Sequence, residues 1–502
     1  MKRIQKNILR GLAAVPLVLL AIFFIFTLFL NQSNRHPINK GNIEIPDKRT
    51  YVPRPNSALQ QQLFHYWTDF DLFEWQDGEK VDVKVPRIVL SNLLLGIRID
   101  EINQYLMRQQ ATGVSGSRWL LNPKGGYNFN TAGFTPLLYL FDEKPDRLYP
   151  QTRKHLIDHI LTIKGNGFSR NVPFTWIQDS ENHILMTGSS RYLVNQWMWN
   201  HGYKQREYNN KENGVKKGLV NYLREIKECG FYEYNSDPYL GYTFCALLNL
   251  EAFASGEVQK LARKLLDLAN WYYALGSFKF KHFPPYRRLF RTDFRTGLKV
   301  DYHTAMMKVW TSFYTDTLDL QIERGQHHAL WAAMLPYRPP DKVIDWTLSK
   351  PLPYFVKIGH GTNSCPEIYS GDPHYLLSAG GANQGKRSLI VAKPITLLLD
   401  DNAKTLEQTF HMSGPGQQML DWNNTGVYKR FACTAGPVQV PNAYHPVETD
   451  ENWSIYRIAA NRLLAVYSQT GFGHFLHPSW KRCTKAAECP QFSQSGKKAI
   501  IH

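Results

Sequence analysis

The hydrophobic pattern of this chain changes once, and that change constrains the fold more than any other feature. Before Pro351-Leu352-Pro353, apolar residues recur at helical spacing in about ten segments. After it, short β-type runs such as Ser388–Asp400 and Arg462–Ser468 are separated by Gly, Pro, Asn and Asp turns. Helices first and strands second indicate an α+β chain, with a helical domain over 58–345 and an antiparallel β domain over 346–484.

The helical half has no interleaved strands. In one segment, Leu185, Tyr192 and Trp199 recur every seven positions on a single face. Consecutive amphipathic helices joined by loops rich in Gly, Pro and Asn favour stacked helical hairpins. We expect residues 485–502 to form a flexible tail.

The N-terminal end predicts a membrane anchor. Residues 11–30 carry no charge, and about 20 apolar residues suffice to span a bilayer. Residues 1–10 are basic, so they should stay cytoplasmic while the body is exported to the periplasm or the exterior. The Pro-containing segment 31–57 is then a stem. A cleaved signal peptide is the alternative, but Asn31-Gln32-Ser33-Asn34 offers no small-x-small cleavage site.

The charge indicates the class of partner. The net charge is +17, which suits an acidic polysaccharide, an anionic membrane or a nucleic acid. Aromatic residues make up 13% of the chain, and such side chains commonly line sugar grooves. The sequence has no nucleic-acid-binding motif, and an exported body argues against that partner.

No cofactor is predicted. The six cysteines form no C-x-x-C pair, and no H-E-x-x-H motif is present. His360, His374 and His411 in the β half leave a structural metal ion open, but they lack the spacing of known zinc motifs.

The richest chemistry lies at Ser180–Met186. Asn182 and His183 fall in the first turn of a helix that begins near Glu181, where free backbone N–H groups and the helix dipole favour a substrate carboxylate. An amide can hydrogen-bond such a carboxylate, and an imidazole can remove a carbon-bound proton. The alternative is that Glu181, Asn182 and His183 only satisfy the helix start.

A second cluster, Glu233–Tyr242, leads from a polar loop into a helix. Tyr239 and Tyr242 lie on one face at the mouth of that helix. A tyrosine that acts as a base needs a nearby cation to lower its pKa, and the candidates are His183, Arg191 and Arg295.

A third cluster, Tyr302-His303, opens another helix, while Gln326-His327-His328 ranks lower. The predicted site therefore has three catalytic residues, which are Asn182, His183 and Tyr239. Its predicted substrate-binding residues are Glu181, Arg191, Glu233, Asn235, Tyr242, Tyr302 and His303.

Over roughly residues 58–480 the chain resembles polysaccharide lyases built from an (α/α) toroid and a C-terminal antiparallel β-sandwich, such as alginate and heparinase-type lyases. Those lyases carry an Asn-His pair at a helix start, which matches Asn182-His183, and a tyrosine some fifty-odd residues later, which matches Tyr239. The resemblance implies that Asn182 neutralises a uronate carboxylate. It also implies that His183 is the base or its partner, and that Tyr239 is the acid or both acid and base.

We therefore predict a membrane-anchored enzyme that cleaves an anionic, uronate-containing polysaccharide by β-elimination. A glycoside hydrolase that uses Glu181 and Glu233 as its acid and base is the first alternative. A non-catalytic glycan-binding or assembly component of polysaccharide export is the second.

Overall fold

The computed structural model describes the greater part of both halves of the chain. The described residues are 14–25, 44–54, 57–72, 79–110, 128–162, 181–231, 233–237, 239–286, 297–315, 320–322, 328–359, 367–380, 395–412, 425–434 and 438–467. The predicted basic end (1–10), the predicted tail (485–502) and the last part of the predicted sandwich (468–484) lie outside them.

The prediction of a membrane-spanning helix over 11–30 is wrong. Within the described part of the chain, no helix is both long enough and apolar enough to cross a membrane. The helix described in this region covers 14–25.

The helices precede the main sheets along the chain. They are α1 (14–25), α2 (Ala58–Thr68), α3 (Glu79–Leu95), α4 (Ile99–Arg108), α5 (Asn128–Leu140), α6 (Pro150–Leu156), α7 (Glu181–Asn200), α8 (Val215–Cys229), α9 (Tyr239–Phe253), α10 (Gly256–Gly276), α11 (Tyr302–Ser312), α12 (Ala329–Met334) and α13 (Asp341–Leu348). Helices α3, α5, α7, α9 and α11 contact one another in series, and α2 contacts both α11 and α3. Helix α4 packs on α6 and α8 packs on α10. The contacts among these helices therefore close into a ring, in the order α2, α3, α5, α7, α9 and α11.

Residues 44–54, inside the predicted stem, are tied to the helical body. The Tyr51 hydroxyl donates a 2.8 Å hydrogen bond to Asp345 on α13, and Arg54 N donates to Phe313 O at 2.8 Å. Arg49 forms an ion pair with Asp267 on α10. This segment thus runs along the folded body.

All strand pairs in the described residues are antiparallel. The strands are β1 (Ser277–Phe278), β2 (Lys281–His282), β3 (Tyr354–Ile358), β4 (Glu367–Asp372), β5 (Tyr375–Ala379), β6 (Ile395–Leu399), β7 (Phe410–Met412), β8 (Thr425–Tyr428), β9 (Phe431–Thr434), β10 (Val438–Gln439), β11 (Pro446–Asp450), β12 (Trp453–Ala459) and β13 (Arg462–Tyr467). The main sheet has the order β10-β7-β6-β5-β4-β3, and the smaller sheets are β11-β12-β13, β8-β9 and β1-β2.

The central strands of the main sheet, β4, β5 and β6, are buried on both faces. Side chains alternate along a strand, so Leu376 of β5 joins the core of the helical half, while Tyr375 and Leu377 join a second core. That second core also contains Val427 of β8 and Tyr456 of β12. The helices therefore cover one face of the sheet, and the β8-β9 and β11-β12-β13 sheets cover the other.

Candidate functional site

The predicted residues meet where α7, α9 and α11 begin. Asn182 and His183 lie in the first turn of α7, Tyr239 is the first residue of α9, and Tyr302 is the first residue of α11. Helix α9 contacts both α7 and α11. Helix packing thus brings Tyr239 and Tyr302 to the same place as His183, which they follow by 56 and 119 positions in the sequence.

Two buried glutamates hold the loop before α9 against the start of α7. The Asn182 backbone N–H donates to Glu233 Oε2 at 3.3 Å, and the Glu233 N–H donates to Glu181 Oε1 at 3.4 Å. Only 2% of Glu181 and 1% of Glu233 is exposed. A carboxylate at a helix N-terminus is favoured by the helix dipole, so both glutamates position the loop and the helix start.

Aromatic rings connect His183 to the other two helix starts. The Phe129 ring of α5 lies 5.4 Å from the His183 ring and 4.7 Å from the Tyr242 ring, edge to face in both cases. The Tyr242 and Tyr302 rings lie 4.2 and 4.6 Å from the ring of His328. Tyr239, Tyr242 and Tyr302 are each half-buried.

A buried arginine lies beneath these phenols. Arg87 Nη2 of α3 donates to His328 Nδ1 at 2.9 Å, and the Cys245 thiol lies 3.3 Å from the same nitrogen. Because a guanidinium can only donate, His328 accepts at Nδ1 and carries its ring proton on Nε2. The Arg87 guanidinium also lies over the Trp331 ring, 5.2 Å from its centroid.

Burial sets the protonation of the groups around Arg87. Burial raises the pKa of the Cys245 thiol to about 12, although Arg87 acts in the opposite direction. Burial, and then the nearby Tyr302, raise the pKa of Tyr242 above its usual range, and the charges of Arg87 and Tyr239 also act on it. Both side chains are therefore neutral at pH 7, and the Tyr242 phenol is a hydrogen-bond donor.

Gly241 permits the close approach of His328 to α9. A Cβ atom at this position would lie 2.5 Å from Cδ2 and 2.9 Å from Cγ of the His328 ring. Real side-chain contacts are longer, so only glycine leaves room for the ring here.

The β half contributes one buried carboxylate to the site. Asn235 has a left-handed backbone (φ 50°), and its Nδ2 donates to Glu367 Oε2 of β4 at 2.7 Å. The Tyr369 hydroxyl donates to the same oxygen. Glu367 thereby fixes the loop that leads into Tyr239.

A small polar cavity adjoins the starts of α9 and α11. Its volume is about 10 Å³, enough for the centre of one water molecule, and Ser236, His282, Asp301 and His303 are among the residues that line it. The His282 ring Nδ1 lies 3.3 Å from Asp301 Oδ2, and the Thr304 N–H donates to Asp301 Oδ1 at 2.9 Å.

Among the residues that line this cavity, Asp301 is ionised and His303 is neutral. Burial alone would raise the pKa of Asp301, but His282 and the hydrogen bonds from Thr304 lower it to about 2. Burial, and then His282, lower the pKa of His303 to about 3. His303 Nε2 lies 2.8 Å from Asn270 Oδ1 and must donate to it, so the lone pair of neutral His303 is on Nδ1.

Most of the predicted residues lie together, and one does not. Around the helix starts the structure places Glu181, Asn182, His183, Glu233, Asn235, Tyr239, Tyr242, Tyr302 and His303. Arg191 is exposed and lies about 12 Å along the α7 axis from His183, at 1.5 Å per residue. Arg295 lies outside the described residues.

Sequence reasoning missed Arg87 and ranked His328 too low. Arg87 precedes the apolar run Ile88-Val89-Leu90, and a charge next to a fully buried run is a signal, because such charges are almost never buried without a partner. We call Arg87, Asn182, His183, Tyr239, Tyr242 and Tyr302 the helix-start cluster.

In the part of the chain that the structure describes, no three His, Cys, Asp or Glu side chains are grouped as metal ligands. His360 lies outside that part. His411 Nδ1 contacts Thr409 O at 3.0 Å.

No family model matches this chain, and no curated protein matches it.

Proposed function

We propose that the chain cleaves a uronate-containing polysaccharide by β-elimination at the helix-start cluster. The observation that carries this proposal is the grouping of half-buried tyrosines close to a buried guanidinium, beside an amide and an imidazole at a helix N-terminus. The net charge of +17 suits an anionic polymer as substrate.

The reaction needs one base, one acid and a site that stabilises negative charge. The base removes the proton from C5, the C4–O4 bond breaks, a C4=C5 double bond forms, and O4 leaves with a proton from the acid. His183 or Tyr239 acts as the base, and Tyr239 protonates O4. Asn182 hydrogen-bonds the uronate carboxylate and so lowers the pKa of the C5 proton.

Arg87 and Tyr242 extend the roles expected from the sequence. A buried cation favours negative charge that develops nearby in the transition state, because the low local dielectric strengthens the attraction. Tyr242 stays neutral because burial raises its pKa, so it donates a hydrogen bond to the enolate-like intermediate. Loss of one such donor costs roughly 10²–10³ in rate.

A hydrolase that uses Glu181 and Glu233 is less well supported. Glu181 and Glu233 are as buried as Asn182 and His183, but each glutamate already accepts a hydrogen bond from a backbone N–H of the facing segment. A pair of catalytic carboxylates must reach the glycosidic oxygen and the anomeric carbon, which requires an open position between them.

The test is absorbance in the near ultraviolet while the full chain is incubated with alginate, polygalacturonate or hyaluronan. Elimination creates an absorbing unsaturated uronate. We expect His183→Ala and Tyr239→Phe to abolish the rise in absorbance. His65→Ala and Tyr203→Phe change an exposed histidine and an exposed tyrosine elsewhere on the helical half, and they should keep the wild-type rate.

The other outcomes each overturn the proposal. Reducing ends that appear without absorbance, and that Glu181→Gln abolishes, would establish the hydrolase. Glycan binding without any product would establish a binding or assembly component.

A further inference from the structure

A groove on the β half combines exposed aromatic rings with two cations. Its volume is about 560 Å³, within the range of ligand sites. It lies between β3, the end of β4 and the turn of the β8–β9 hairpin. The residues that carry the argument are Phe355, Tyr375, Tyr428, Lys429, Arg430 and Phe431, and we call this the aromatic-basic groove.

The rings of this groove face solvent. Phe355 is 39% exposed, Phe431 51% and Tyr428 64%. The Phe355 and Tyr428 ring centroids are 5.6 Å apart at 69°, so they form two walls of one surface. Apolar area of this kind, exposed on a folded chain, is typical of a binding site.

The two cations lie in a turn that does not favour them. Tyr428 pairs with Phe431, so Lys429 and Arg430 alone form the turn. Lys429 has φ 53°, a conformation that glycine or asparagine adopts more readily. Lys429 Nζ lies 5.5 Å from the Tyr428 ring centroid. Lys429 thus occupies a strained backbone position beside exposed rings, and its charge borders the groove.

The groove faces away from the helix-start cluster. Phe355 of β3 lies opposite Ser370 of β4, and Ser370 lies opposite Leu377 of β5. Directly opposed residues share a face of the sheet, and Leu377 belongs to the core on the side away from the helices. The groove is therefore a second surface, separate from the proposed catalytic one.

We propose that the aromatic-basic groove binds an anionic, uronate-containing glycan chain and tethers the polymer to the protein. The charges fit this occupant, because none of the described residues that line the groove is acidic. The rings offer apolar faces to the C–H surfaces of sugars, Lys429 offers a partner for a carboxylate, and Arg430, which hydrogen-bonds Tyr375, adds positive charge beside it. The inference rests on the proposed function only for the choice of glycan.

A tether acts through effective concentration. A polymer held in the groove stays near the helix-start cluster, so a second segment binds there without a new encounter. The groove should therefore lower KM for long chains, leave kcat unchanged, and have no effect on fragments too short to reach both surfaces.

The test measures binding of alginate, polygalacturonate and hyaluronan to the full chain, with Tyr239→Phe present in every variant so that the polymer persists. We expect Tyr428→Ala, and the pair Lys429→Asn with Arg430→Gln, each to raise Kd about tenfold. Asparagine suits the backbone at 429, so the second variant should fold normally. The paired variant should also reduce the dependence of Kd on salt.

Matched controls separate local from general effects. Lys216→Asn with Lys217→Gln also removes two positive charges, here from exposed positions at the start of α8. Tyr203→Ala removes an exposed tyrosine elsewhere. Both should bind the polymer as the parent does, and all variants should have the melting temperature of the parent.

Four results would overturn the tether. They are unchanged Kd in both groove variants, equal loss of binding in the controls, equal affinity for neutral dextran, or binding to anionic phosphatidylglycerol vesicles in place of glycan. The proposed function fails separately, if the groove binds polymer but the chain with Tyr239 intact forms no unsaturated product.

Discussion

Replacing Gly241 by alanine should displace the His328 ring and disturb the helix-start cluster. The new Cβ would lie 2.5 Å from His328 Cδ2, whereas ordinary contacts begin near 3.4 Å, so the ring must retreat by about 1 Å. His328 is fully buried and is held by Arg87 at 2.9 Å, so it has little room to move.

The magnitude follows from two opposing effects. Overpacking a buried site costs about 1–3 kcal/mol, while a Gly→Ala change in a helix gains about 0.5–1 kcal/mol. We therefore expect Gly241→Ala to lower the free energy of unfolding by about 1–2 kcal/mol. A shift of about 1 Å in a catalytic arrangement can cost about 10²-fold, so the rate of elimination should fall by that order.

Two other helical glycines serve as controls, measured by urea unfolding and by the absorbance assay. In Gly188→Ala the new Cβ meets Leu219 Cδ1 at 3.5 Å, and in Gly218→Ala it meets nothing within 4 Å. Both should be more stable than wild type by about 0.5–1 kcal/mol and fully active. If Gly241→Ala behaved as these controls do, the close contact between His328 and α9 would be refuted.

The remaining predictions concern Asp301, Lys350 and Tyr242. The pKa of Asp301 is lowered from 3.8 to about 2, so its carboxylate stabilises the fold above pH 4 and loses that effect as the pH falls towards 2. Asp301→Asn keeps a capping side chain, and in acid unfolding it should lack about 2 kcal/mol of this pH-dependent stability; an unchanged pH profile would contradict the assignment. Burial lowers the pKa of Lys350 from 10.5 to about 7, so the free energy of unfolding should rise from pH 7 to 10, and Lys350→Met should flatten that rise. Tyr242→Phe keeps the ring but removes the donor, so it should slow elimination about 10²-fold with an unchanged melting temperature; a wild-type rate would exclude the donor role.

The order of helices and strands could be predicted from the sequence because it depends on local periodicity. The spacing of Leu185, Tyr192 and Trp199 is helical, and the chain forms α7 there. Residues 11–30 show where such reasoning failed. Composition alone predicted a membrane-spanning helix, whereas no helix in the described part of the chain is long and apolar enough to cross a membrane.

The candidate site was only partly visible in the sequence. Asn182, His183 and Tyr239 stand at helix starts with polar neighbours, and that local signal carries over to the structure. Arg87 stands before a buried apolar run, which indicates its burial, but the packing of α3 on α5 and of α5 on α7 that brings it to the site is not encoded in any local pattern. Arg191 showed the opposite error, because closeness in sequence to His183 did not bring it to the same end of the helix.

The most direct test of the central claim is the mass of the products, measured by mass spectrometry in ordinary water. Elimination adds no water, so the masses of the products should sum to that of the substrate. A gain of one water mass per cleaved bond would show hydrolysis and would contradict β-elimination at the helix-start cluster.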